Sequence, residues 1–71
     1  MGFQIVELEM DGEDVRIRKV IPYPFPTFGE AKLRVQHAIS KYAEYGYCEE
    51  RAFWWFRTFN GKSSRMVIER V

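Results

Sequence analysis

An α+β fold of the order strand, strand, helix, strand, strand follows from three features of the chain. Two runs of alternating apolar and charged residues flank an Asp-Gly turn, a capping box precedes an amphipathic run, and two more apolar runs flank Asn60-Gly61. The expected architecture is ββαββ, two β-hairpins forming one four-stranded sheet with a single helix packed on one face, in a single domain covering residues 1–71.

The first strand is expected over residues 3–10, where Val6, Leu8 and Met10 alternate with Glu7 and Glu9. Val15 and Ile17 alternate with Arg16 and Arg18 in a second strand over residues 15–21. Between them Asp11-Gly12-Glu13-Asp14 is a hairpin turn. A register pairing Met10 with Val15 and Leu8 with Ile17 also sets Glu9 across from Arg16 and Glu7 across from Arg18. The shorter loop opposes Glu9 to Asp14, a like-charge pair, so the longer one is preferred.

Pro22-Tyr23-Pro24-Phe25-Pro26 ends the strand, because proline has no amide hydrogen for a ladder. Prolines at every second position do not make the three-residue turn of a Pro-x-x-Pro ligand. The segment therefore reads as a stiff connection whose Tyr23 and Phe25 cap the edge of the core.

Thr27 and Glu30 form a capping box, and Phe28, Ala31, Val35, Ala38, Ile39, Tyr42 and Tyr45 fall in one stripe at 100° per residue. Leu33 alone lies off it. Gly46 offers a left-handed cap, so the helix is expected over residues 28–45. Such a helix rises about 27 Å and matches a strand of about eight residues. It returns the chain so that strands one and four, or two and three, form a parallel central pair.

The third strand is expected over residues 51–59 and the fourth over 65–71. Trp54 and Trp55 then point to opposite faces, and both faces are apolar. A single helix covers one face only, which leaves an aromatic surface on the other. The set Phe53, Trp55, Phe59, Met66 and Ile68 is assigned to the helix-covered core. Trp54, Phe56, Arg65, Val67 and Glu69 are assigned to the open face as an interface or ligand platform, since Arg65 and Glu69 suit a surface.

A net charge of +1 from 11 basic and 10 acidic side chains gives no long-range field toward nucleic acid or an anionic membrane. With 46% hydrophobic and 17% aromatic residues, the chain has enough apolar area to fold rather than stay disordered. One cysteine, Cys48, forms no intrachain disulfide and suits the reducing cytoplasm. Met1 to Glu7 lacks the basic region of a signal peptide, and Val6 stands where N-myristoylation wants Ser or Thr. No apolar run reaches the roughly 20 residues needed to span a bilayer.

No catalytic motif, metal cluster or phosphate loop is present, so no enzyme activity and no cofactor are expected. Cys48, His37, Glu49 and Glu50 do not assemble into a site, because His37 falls on the solvent side of the helix and one Cys with one His is short of the usual zinc set. The leading expectation is a small interaction or structural module, homodimeric through its aromatic sheet face, with another protein as an alternative partner. The competing expectation is a module for single-stranded nucleic acid, with bases stacked on the rings and phosphates held by Arg16, Arg18, Arg51 and Arg57.

Overall fold

A computed structural model describes residues 2–21 and 24–71. Its elements are β1 (Phe3–Asp11), β2 (Asp14–Val20), α1 (Phe28–Ile39), β3 (Tyr45–Cys48), β4 (Phe53–Arg57) and β5 (Ser63–Arg70). All strand pairs are antiparallel, and the five strands form one sheet in the order β2-β1-β5-β4-β3. The expected four-stranded ββαββ sheet is therefore corrected to a five-stranded ββαβββ sheet.

The additional strand comes from the end of the expected helix. Thr27 caps α1, its Oγ1 accepting the Glu30 N–H at 3.2 Å, and the helix starts at Phe28. It stops at Ile39 instead of Tyr45, because the Ser40 hydroxyl donates back to the His37 carbonyl at 2.8 Å and Tyr42 N–H turns to the Ile39 carbonyl at 3.0 Å. Tyr42 then stacks on Phe56, with ring centroids 4.7 Å apart. Tyr45-Gly46-Tyr47-Cys48 is extended and pairs with β4, so Gly46 is a strand residue and not a helix cap.

One more strand reverses the direction of everything after it. With four strands the first and last would run parallel; with five, β5 runs antiparallel to β1 and pairs with it from Phe3 to Glu9. The expected parallel central pair is thereby replaced by an antiparallel one.

The first hairpin holds Met10 opposite Val15, the expected pair, and closes on Asp11 and Asp14. Beyond Met10 a bulge shifts the register by one, so Glu9 faces Ile17, Leu8 faces Arg18 and Glu7 faces Lys19. Arg16 is the extra residue, and the expected Glu9–Arg16 and Glu7–Arg18 pairings are lost. The shift turns Arg18 to the face that carries Leu8.

Helix α1 lies on one face. Ala31, Val35 and Ile39 pack there with Ile5, Trp54, Phe56 and Met66, ringed by Phe3, Ile21, Phe25, Ala38, Tyr42 and Ile68. Phe25 is tied to Phe3 by reciprocal backbone bonds of 2.8 Å each, which seats the connection at the core edge. Pro22 and Tyr23, including the expected packing of Tyr23, lie outside the described residues.

The face assignment of β4 is inverted relative to the sequence expectation. Trp54 and Phe56 lie beneath the helix, while Phe53 and Trp55 point away from it. The cause is the β4–β5 turn, where Thr58 N–H bonds the Lys62 carbonyl and Gly61 N–H bonds the Thr58 carbonyl, both at 2.9 Å. With Gly61 at φ 83°, three residues lie between Thr58 and Lys62, a type I turn closed by a glycine bulge. An odd loop sets Met66 opposite Trp54, whereas an even loop would set it opposite an odd-numbered residue. Phe59, placed in the core by the sequence pattern, is instead exposed in this turn, with its ring beside Tyr42.

Candidate functional site: the sheet face away from the helix

Antiparallel pairing lines up the helix-free face in cross-strand rows. One row reads Arg18, Leu8, Arg65, Trp55 and Gly46 across all five strands, from β2 to β3. The next reads Val20, Val6 and Val67. Gln4 faces Glu69 beyond it. Arg65 thus stands on the central strand between Leu8 and Trp55, with Arg18 on the outer strand and Gln4 and Glu69 at one end of the face.

The two tryptophans do point to opposite faces. Trp54 is 6% exposed and Trp55 is 41% exposed. On the same face as Trp55 lie half-buried Leu8, Phe53 and Val67 and exposed Val20. Val6 and Met10 are buried although neither belongs to the core cluster under the helix.

Charged side chains account for that burial. Arg18 reaches Glu69 at 3.1 Å, and Gln4 Nε2 donates to the same carboxylate oxygen at 2.9 Å. Since Arg18 pairs with Leu8 and Glu69 with Gln4, the line between them crosses β1 at Val6, which is only 1% exposed. On the other side, the Arg65 guanidinium stands 4.4 Å from the Phe53 ring centroid and 3.8 Å from Glu13, which also meets Arg51 at 3.4 Å. Aliphatic stems of arginine cover apolar surface in this way while the heads remain wet. A shallow depression of about 380 Å³ remains between Met10, Glu13, Phe53, Trp55 and Arg65.

The residues singled out by sequence are thus divided. Arg65, Val67 and Glu69 stand on the open face; Trp54 and Phe56 are enclosed beneath α1. Phe53, Trp55, Leu8 and Val20 complete the surface and were missed. The cue was the Thr58-to-Lys62 loop, because a glycine in the last of three loop positions fixes which tryptophan faces outward.

The four arginines named as phosphate contacts do not form one track. Arg18 pairs with Glu69, Arg51 with Glu13 and Arg57 with Glu44 at 3.5 Å, while Arg16 stands at the bulge of the outer strand β2. His37 lies in the last turn of α1, and Cys48 is a half-buried free thiol in β3. Among the described residues no helix is long and apolar enough to cross a membrane. Comparison of the chain with protein-family models, curated proteins and solved structures found no match.

Proposed function

We propose that this chain is a small protein-interaction module that pairs with a second copy of itself through the helix-free sheet face, centred on Trp55. The observation that carries this reading is the exposed Trp55 indole within a row of apolar and arginine side chains. Tryptophan and arginine are enriched where interfaces hold most of their energy. A two-fold contact brings the same patch against itself, so it needs both charges on that patch. Arg18 with Glu69 and Arg65 with Glu13 supply both, and a copy rotated about Trp55 can exchange partners with them.

Self-pairing is favoured over binding of a polyanion. A phosphate approaching Arg18, Arg51, Arg57 or Arg65 must displace a glutamate already there. Work in the reducing cytoplasm fits the lone thiol of Cys48.

The test is molecular mass by light scattering across a concentration series. A dimer is expected at tens of micromolar, and Trp55→Ser should give a folded monomer. Wild-type protein that stays monomeric at several hundred micromolar overturns the proposal. Salt-sensitive quenching of Trp55 emission by an oligonucleotide would replace it with the nucleic-acid reading.

A further inference from the structure

The two edges of the sheet are unlike each other. The outer strand β2 carries Arg16, Arg18 and Lys19 and a bulge, which are devices that keep an edge from accepting another strand. The opposite edge, β3, reads Tyr-Gly-Tyr-Cys with no charge, no proline and no shift in its pairing with β4.

The hydrogen-bond phase of β3 is fixed by one contact. Arg57 N–H donates to the Glu44 carbonyl at 3.0 Å. Bonded pairs alternate along an antiparallel ladder, so Gly46–Trp55 and Cys48–Phe53 are bonded pairs as well. Tyr45 and Tyr47 therefore turn their N–H and C=O groups outward, away from β4. Their side chains fall on the helix side, where Tyr47 packs on Trp54 with ring centroids 4.7 Å apart, and both remain nearly half exposed.

Between this edge and α1 runs a groove. One part, about 340 Å³, is lined by Gln36, Ile39, Tyr45 and Tyr47; the next, about 220 Å³, by Phe28, Lys32, Gln36 and Tyr47. Gln36, Tyr47 and Trp54 border both, so the two are continuous. From Phe28 to Ile39 the helix rises about 16 Å, the span of about five extended residues. Lys32 is exposed at the Phe28 end and makes no ion pair among the described residues.

We propose that this groove is a peptide-binding site. An extended segment adds to β3 as a sixth strand, seats an apolar side chain against Tyr45, Tyr47 and Ile39, and sets a carboxylate at Lys32. The outward main-chain groups of Tyr45 and Tyr47 demand an extended backbone as the occupant, since only that supplies donors and acceptors at strand spacing. Four residues make a short ladder, so the side-chain groove and Lys32 must supply the remaining affinity. The site lies on the other side of the sheet from Trp55 and does not depend on self-pairing.

The experiment is selection from a displayed library of random heptapeptides with free C-termini, followed by amide chemical shifts of the labelled 71-residue chain with each enriched peptide. Expected are shifts concentrated at residues 44–48 and at Lys32 and Gln36, with slowed hydrogen exchange of the Tyr45 and Tyr47 amides. Methylating alternate peptide nitrogens should abolish binding. Lys32→Gln should weaken carboxylate-bearing peptides about three- to fivefold, the scale of an exposed ion pair, and leave amidated ones unchanged. Val20→Glu, on the helix-free face but on the outer strand β2 remote from β3, should bind the peptides as the wild type does. The proposal is overturned if no peptide is enriched, if the shifts fall around Trp55 and Phe53, or if Tyr45 and Tyr47 become protected with rising protein concentration alone. That last result would make a second copy the occupant of the edge.

Discussion

The Trp55 indole lies flat against the backbone of Gly46, so close that a Cβ on Gly46 would meet Trp55 Cζ2 at 2.7 Å and Cε2 and Nε1 at 2.8 Å. The two are a cross-strand pair, and the ring covers the gap that a strand glycine leaves. Gly46 has no positive φ, so close approach and not backbone freedom is what glycine provides here. Alanine in a strand ordinarily gains about 0.5–1 kcal/mol over glycine. At position 46 it must instead lift the indole off the sheet, and Gly46→Ala is expected to lose about 1 kcal/mol net. Urea unfolding reads the loss, and a red shift of Trp55 emission in a Trp54→Phe background reads the displaced ring. A stabilised variant with unchanged emission would contradict this contact.

Substitution of the two tryptophans should separate stability from association. Trp54→Ala empties a site packed between Tyr47, Met66 and the helix and is expected to cost about 3–5 kcal/mol, much of what a domain of this size possesses. Trp55→Ala removes a ring that is 41% exposed but covers Gly46, and should cost about 1–2 kcal/mol, well below the Trp54 loss, while abolishing self-pairing. Equal destabilisation by the two changes would mean that the faces are not distinguished as described.

Much of the fold was legible in the chain, and the failures have local causes. Strand β1, the cap at Thr27 and the helix start at Phe28 followed from period and capping chemistry, which act within a few residues. The helix end did not, because Tyr42 satisfies the helical stripe and also stacks on Phe56, and the tertiary contact wins. The opposition of Trp54 and Trp55 was legible from strand geometry alone. Which of them faces the helix depended on a single loop residue, since adding one residue to the Thr58–Lys62 turn exchanges every β5 side chain between faces. The bulge at Arg16 was equally silent, and it moved Arg18 into reach of Glu69.

The turn that sets this parity should be sensitive to its glycine. Gly61 sits at φ 83°, where an L side chain costs about 1–2 kcal/mol, and nothing crowds the position of its missing Cβ. Gly61→Ala is therefore expected to lose about 1 kcal/mol through backbone strain alone. Thr58→Val should add to it, because the Thr58 hydroxyl accepts the Lys62 N–H at 3.1 Å and donates its one hydrogen to Asn60 Oδ1 across the loop. Urea midpoints of the two single variants and the double variant measure both effects. Additive losses would indicate that the residues hold the loop independently, and a smaller combined loss that they act as one unit.

Ala52 is the non-glycine residue with a positive φ among the described residues, at 55°, in the turn from β3 to β4 just before Phe53. The left-handed conformation crowds the alanine Cβ against its own carbonyl, at about 1–2 kcal/mol, whereas glycine bears no such cost but loses more chain entropy on folding. The strain is the larger of the two, so Ala52→Gly is expected to raise stability by about 0.5–1 kcal/mol. In urea the midpoint should rise at an unchanged slope, because neither the core nor the exposed area is altered. Ala52→Val, with a branched Cβ at the same φ, should shift the midpoint the other way and further. If Ala52→Gly lowered the midpoint instead, entropy would outweigh strain in this turn, and the tight return that aims Trp55 across Gly46 would have to be held by the β3–β4 ladder rather than by the turn.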